Sequence, residues 1–133
     1  MKYMLDTNSC IFLIRRKYPS VLETLMKKKP GDVALSSLTV AELHYGVEKS
    51  SAIEKNKEAL GLFLTAFEIL DFDTTAAEVY GRIRSSLEKI GKPIGSIDML
   101  IAAHAVSQDL ILVTHGRDFD RISKLKTQDW VVE

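Results

Sequence analysis

Apolar and polar positions alternate along this chain in two periods. Short apolar runs of strand length occur at Lys2–Leu5, Val33–Ser36, Ile69–Phe72 and Leu110–Val113. Between them the spacing turns helical. Over Thr75–Ile90, residues Ala76, Val79, Tyr80, Ile83, Leu87 and Ile90 recur every three or four positions, which predicts one buried helical face, and Gly91 and Pro93 end it. Over Ala52–Phe67, residues Ile53, Leu60, Phe63, Leu64 and Phe67 are expected to face a core while Lys55, Lys57 and Glu58 face water. Strands separated by helices predict an α/β fold with a parallel sheet covered on both faces. In such sheets ligands gather beyond the carboxyl ends of the strands, where strand order reverses.

Composition narrows this picture without changing it. A chain of 133 residues is long enough to bury a core of its own, and no linker, repeat or low-complexity tract divides it, so residues 1–133 are expected to form one domain. No apolar run approaches a membrane span and no signal peptide is recognisable, so a cytoplasmic location is expected. Lys plus Arg number 18 and Asp plus Glu number 18, a balance unlike that of a nonspecific duplex binder. Any nucleic acid would have to be held by local patches such as Arg15-Arg16-Lys17 or Lys27-Lys28-Lys29, both of which also read as ordinary solvated surface. The one cysteine, Cys10, lies among apolar neighbours and reads as a buried thiol rather than a nucleophile.

The chemistry lies in four acids. Asp6 ends the first strand in "YMLDTN", Glu42 follows the second in "SSLTVAELHYG", Asp98 opens an apolar helix in "GSIDMLIAAHA", and Asp118 follows the fourth strand in "LILVTHGRDFDRI". Each also has a purely structural reading. Asp6 would cap the helix beginning near Ser9, Thr39 and Glu42 fit a capping box, Asp98 suits a helix dipole, and Asp118 would pair with Arg117 or Arg121. Together they are harder to explain so, because all four fall at one end of the expected sheet. Two unit charges about 4 Å apart at an effective dielectric of about 20 repel by about 4 kcal/mol, and a hard divalent cation relieves that cost. Neither the lone cysteine nor His44, His104 and His115 offers a zinc spacing.

With these four stretches and the "TQDW" near the end, the chain resembles the PIN-domain ribonucleases, in particular the VapC toxins of toxin–antitoxin pairs. The resemblance implies a three-layer α/β/α sandwich. It implies that Asp6, Glu42 and Asp98 form a site for Mg²⁺ or Mn²⁺, with Thr7, Asn8, Ser96 and Thr114 arranging them. Asp6 and Asp98 would hold the ion directly, and Glu42 would hold it through water or orient the nucleophile. Gly116 departs from the pattern, since relatives usually carry Asn or Asp there, and Asp118 is the choice for the fourth acid. The implied activity is metal-dependent endoribonuclease cleavage of a structured RNA, such as a transfer RNA anticodon loop, with inhibition of translation. Arg15, Arg16, Arg82 and Lys92 would position phosphates and His115 would contact substrate. The implied partners are a VapB-type antitoxin, whose C-terminal segment fills the cleft, and a second copy of the chain.

Two other readings compete. Asp6-Thr7-Asn8 after a strand also suits the aspartyl nucleophile of phosphotransferases and dehalogenases, although those enzymes usually carry a second Asp where Asn8 stands. A noncatalytic module that keeps the fold and only binds RNA or protein is the other.

Overall fold

The computed structural model describes residues 1–133. Five parallel strands, β1 (Tyr3–Leu5), β2 (Val33–Ser36), β3 (Glu68–Leu70), β4 (Ile111–Val113) and β5 (Thr127–Gln128), form one sheet in the order β3-β2-β1-β4-β5. The helices are α1 (Thr7–Arg15), α2 (Pro19–Met26), α3 (Ser37–Glu48), α4 (Ile53–Leu64), α5 (Thr74–Lys89) and α6 (Ser96–Ser107), with a 3₁₀ turn over Asp118–Arg121. The α/β sandwich read from the alternating pattern is therefore the observed fold.

Strand burial explains why these short runs suffice. Tyr3, Met4 and Leu5 are all buried, as are Val33 to Ser36, so the central strands carry apolar side chains on both faces. On one face Met4, Ala34 and Leu112 pack against Val79, Ile83 and Leu87 of α5 and the Met99–Ala105 stretch of α6. On the other, Leu5, Leu35 and Val113 pack against Cys10, Val21, Leu43, Val47 and Leu60. Side chains alternate between faces along a strand, so neighbours such as Met4 and Leu5 enter different cores.

Several expectations shift. The third strand is Glu68–Leu70 and leaves out Phe72, whose N–H donates to Ser37 Oγ. Ile90 lies past the end of α5 and is exposed, as is Ile53 at the start of α4. Within α4 only Leu60 is buried, because that helix packs at the rim of the fold and keeps Phe63 and Leu64 half-open. The capping box does not form. Ser36 caps α3 by accepting from Leu38 N–H at 3.1 Å, and Thr39 is buried inside the helix. Helix α2 and strand β5 are not among the expected elements: α2 packs Val21 and Leu25 into the core, whereas the strand is two exposed residues and owes its place to β4.

Candidate active site at the strand switch point

The chain builds β2 and β3 on one side of β1 and then crosses to build β4 and β5 on the other. Strand order therefore reverses between β1 and β4, and a crevice opens beyond their carboxyl ends. Register sets what lies there. Leu5 pairs with Val113 and with Leu35, which places Asp6 beside Thr114 on one side and Ser36 on the other.

Asp6 does two jobs at this point. Its Oδ1 accepts from Ser9 N–H at 2.8 Å, capping α1, and its Oδ2 accepts from the Thr114 hydroxyl at 2.6 Å. Ser9 Oγ in turn donates to Val113 O at 3.1 Å, fastening α1 to β4. Burial pushes the Asp6 carboxyl above its ordinary range, partly offset by the Thr114 and Ser9 hydrogen bonds and reinforced by the Asp129 charge. With both oxygens engaged and only 5% of the residue exposed, Asp6 is poorly placed to attack as an aspartyl nucleophile.

Glu42 reaches the same crevice from α3. The Thr7 hydroxyl donates to its Oε1 at 2.6 Å and lies 3.3 Å from Thr39 Oγ1, so α1 orients the carboxylate of α3. Asp98 comes from the first turn of α6, where its Oδ2 lies near Gly95. Its carboxyl is pushed up by partial burial and then by the charges of Asp6, Glu42 and Asp118. Three of the acids named from the sequence thus bear on the fourth, Asp98. Asp118 is the outermost: it is 75% exposed and 4.0 Å from Arg121 Nη2, the surface pairing also expected of it.

The flanking residues divide. Asn8, Arg15 and Arg16 line one groove of about 990 Å³ together with Asp6, Thr7, Glu42 and Asp98. Ser96 and Lys92 are exposed and their side chains make no hydrogen bond or ion pair within the chain. Arg82 lies elsewhere, in a second groove along α5. His115 is tied to Asp129 at 2.8 Å and to Glu133 at 3.6 Å and packs near Phe12 and Tyr18. Lys28 sits over the rings of Tyr3 and Trp130 and lines neither groove. Cys10 is fully buried and burial pushes its thiol well up, so it is inert. Gly116 adopts φ +104°, a conformation that side-chain-bearing residues rarely adopt, which accounts for glycine in that loop.

Sequence reading missed Asp129. It follows the two-residue β5, beside β4, and its charge reaches Asp6. No periodicity marks so short a strand, and only its register beside β4 brings this acid to the crevice.

The donor set suits a hard cation: carboxylate oxygens, two of them on groups whose charged form is disfavoured by burial and by like neighbours. The side chains are spread, however, and no three of them stand close enough to share an ion in this arrangement.

A buried acid at a strand switch point, with acids from other units beside it, stands where open α/β sheets bind their ligands. Residues 3–125 match the PIN domain family, and the chain belongs to that family and to its VapC ribonucleases. It is 44% identical over 131 residues to a tRNA(fMet)-specific endonuclease VapC of Shigella flexneri, covering 98% of each chain. It is 44% identical over 132 residues to Ribonuclease VapC2 of Haemophilus influenzae, covering 98% of this chain and 99% of that one. Among solved structures it superposes on the VapC-like chain of a DNA-bound VapBC from Salmonella typhimurium with a TM-score of 0.93 at 42% identity, covering 98% of each. A VapBC2 from Rickettsia felis bound to a promoter DNA fragment gives 0.88 at 41%, covering 98% and 99%.

Proposed function

We propose that this chain is the toxin of a toxin–antitoxin pair, an endoribonuclease that hydrolyses a phosphodiester bond in a structured RNA, with initiator transfer RNA as the first substrate to test. One observation carries the reading: Asp6, Glu42 and Asp98, from three different units, line one groove beyond the carboxyl ends of the central strands. The named activity of the Shigella flexneri relative supplies the transfer RNA.

Asp6 and Asp98 would hold Mg²⁺ or Mn²⁺, with Glu42 and Asp118 completing the set. When bound, such an ion supplies an activated water near neutral pH and neutralises charge on the phosphate and the leaving oxygen. Thr114 and Ser9 fix Asp6 as an acceptor. Thr7 holds Glu42 at the edge of the crevice, where it orients the attacking water and takes its proton. Arg15 and Arg16 face the groove and position phosphates. An exposed RNA loop suits this groove, because splayed bases and a kinked backbone enter where a regular duplex does not.

The same groove runs from the acids over the apolar side chains of Ile11, Ile14, Leu60, Leu62 and Phe63. These side chains would take the apolar side of an antitoxin segment, which would carry a cation to the acids. Solved relatives are VapBC complexes, which supports this assignment.

The test is incubation of transfer RNA with the purified chain and Mg²⁺ or Mn²⁺, with the cut ends sequenced. Cleavage at one loop that is lost with EDTA and in Asp98→Asn is expected. Cleavage unaffected by either would end the reading.

A further inference from the structure

A second groove, of about 770 Å³, runs along the outer face of α5 and meets the segment after the 3₁₀ turn. Arg82, Ser85, Ser86 and Lys89 occupy positions i, i+3, i+4 and i+7 of α5, so they form one stripe. Arg121 and Lys124 face that stripe from the other wall. Four cations against one acid, Glu78, is a marked local excess in a chain whose charges otherwise balance at 18 and 18.

These charges are available. Arg82, Lys89 and Lys124 form no ion pair within the chain, whereas neighbouring Arg84 is taken by Glu88 at 3.4 Å. The apolar floor, Val79, Ile83, Leu87 and Ile122, is buried beneath them and Val106 is half-buried, so the groove offers cations and hydroxyls but no large aromatic anchor of the kind a protein partner uses. Arg121 joins the groove to the acids. Its Nη1 donates to Pro93 O at 3.2 Å, in the loop leading to α6 and Asp98, while its Nη2 lies 4.0 Å from Asp118.

We propose that this groove binds the phosphodiester backbone of the RNA whose bond is cut at the carboxylate site, as a positioning track reached past Arg121. The identity of the ligand rests on the ribonuclease reading. The groove contributes affinity and register rather than chemistry, because it places cations and neutral donors against phosphates and no group near the scissile bond.

Binding of fluorescently labelled bulk transfer RNA, measured by anisotropy in EDTA over a KCl series, tests it. The triple variant Arg82→Ala, Lys89→Ala, Lys124→Ala should bind about tenfold or more weakly near 0.1 M salt. It should also lower the steepness of log K against log salt by about 2, since each lost phosphate contact removes about 0.7 to 0.9. The charge-preserving set Arg82→Lys, Lys89→Arg, Lys124→Arg should keep the parent slope. An equal loss of charge outside both grooves, Lys2→Ala, Lys55→Ala, Lys57→Ala, should also leave it unchanged. In cleavage with Mg²⁺ the groove triple should raise KM and leave kcat. An unchanged slope in the groove triple, or equal losses in both triples, overturns the proposal. Each single removal gives the same answer at about one contact per residue should the triple fold poorly. Cutting by the wild type with an unaltered groove slope sinks the groove alone, whereas RNA binding without cutting sinks the ribonuclease reading alone.

Discussion

Asp98 is the residue on which the acids bear. No side chain of the fold donates a hydrogen bond to it, and burial with three neighbouring charges disfavours its ionised form. Removing that charge while keeping the shape relieves repulsion without leaving a donor unpaired. Asp98→Asn is therefore expected to melt at the same temperature as the wild type or higher in metal-free buffer, and to gain less from added Mg²⁺, which stabilises the native state by mass action. A calorimetric scan of both proteins with and without Mg²⁺ measures this, and a clear loss of stability without metal would make Asp98 a structural cap. Asp6 differs, because its oxygens also tie α1 to β4. One side chain there carries both the cap read from local sequence and the site read from the set of acids, so the two readings of Asp6 are compatible.

At the scale of elements, α1, α3 and α4 form the walls of the active-site groove, and α4 is the least committed of them. It buries only Leu60, while Leu62 is 75% exposed and Phe63 half-buried. An amphipathic face that packs so lightly is free to meet another chain. Leu62→Asp is expected to change unfolding free energy by no more than about 0.5 kcal/mol, because the side chain is already in water. It should leave RNA cleavage intact and weaken inhibition by the cognate antitoxin, read as a higher antitoxin concentration for half-inhibition. Unchanged inhibition would place the antitoxin elsewhere.

Across the molecule as a whole, stability should depend on pH through His104. This residue is fully buried on α6, with Nδ1 2.7 Å from Ser36 Oγ, the cap of α3, and Nε2 without a partner. Burial lowers its affinity for a proton, while Asp73 and Asp71 raise it in part. The unfolded chain therefore takes up a proton more readily than the native one. The stability His104 confers is complete above its unfolded value and is lost as pH falls below about 6.5. Asp6 and Asp98 have the opposite sign: their raised native values favour the folded state as pH falls through the carboxylate range. A fall in Tm between pH 7.5 and 5.5 that is smaller in His104→Gln is the expected result.

Much of this architecture is legible in the order of residues alone. Local spacing marks Val33–Ser36 as a strand and places the long helix to within a residue at its start, because fully buried strands and one-sided helices impose their periods on composition. It fails at β5, whose two exposed residues owe their place to β4, a strand distant in sequence, and in α3, which begins at Ser37 so that Ser36 rather than Thr39 is the cap. The layered fold, and the positions of Asp6 at a strand end and Asp98 in a first helical turn, follow from the sequence, since those are matters of period and local hydrogen bonding, whereas Glu42 stands in the second turn of α3. It takes the folded chain to bring Thr114 to Asp6, Thr7 to Glu42 and Asp129 into their company, and to assign Arg82 to a different groove from Arg15 and Arg16. Strand order and register set those neighbours, and neither is written in the spacing of any single segment.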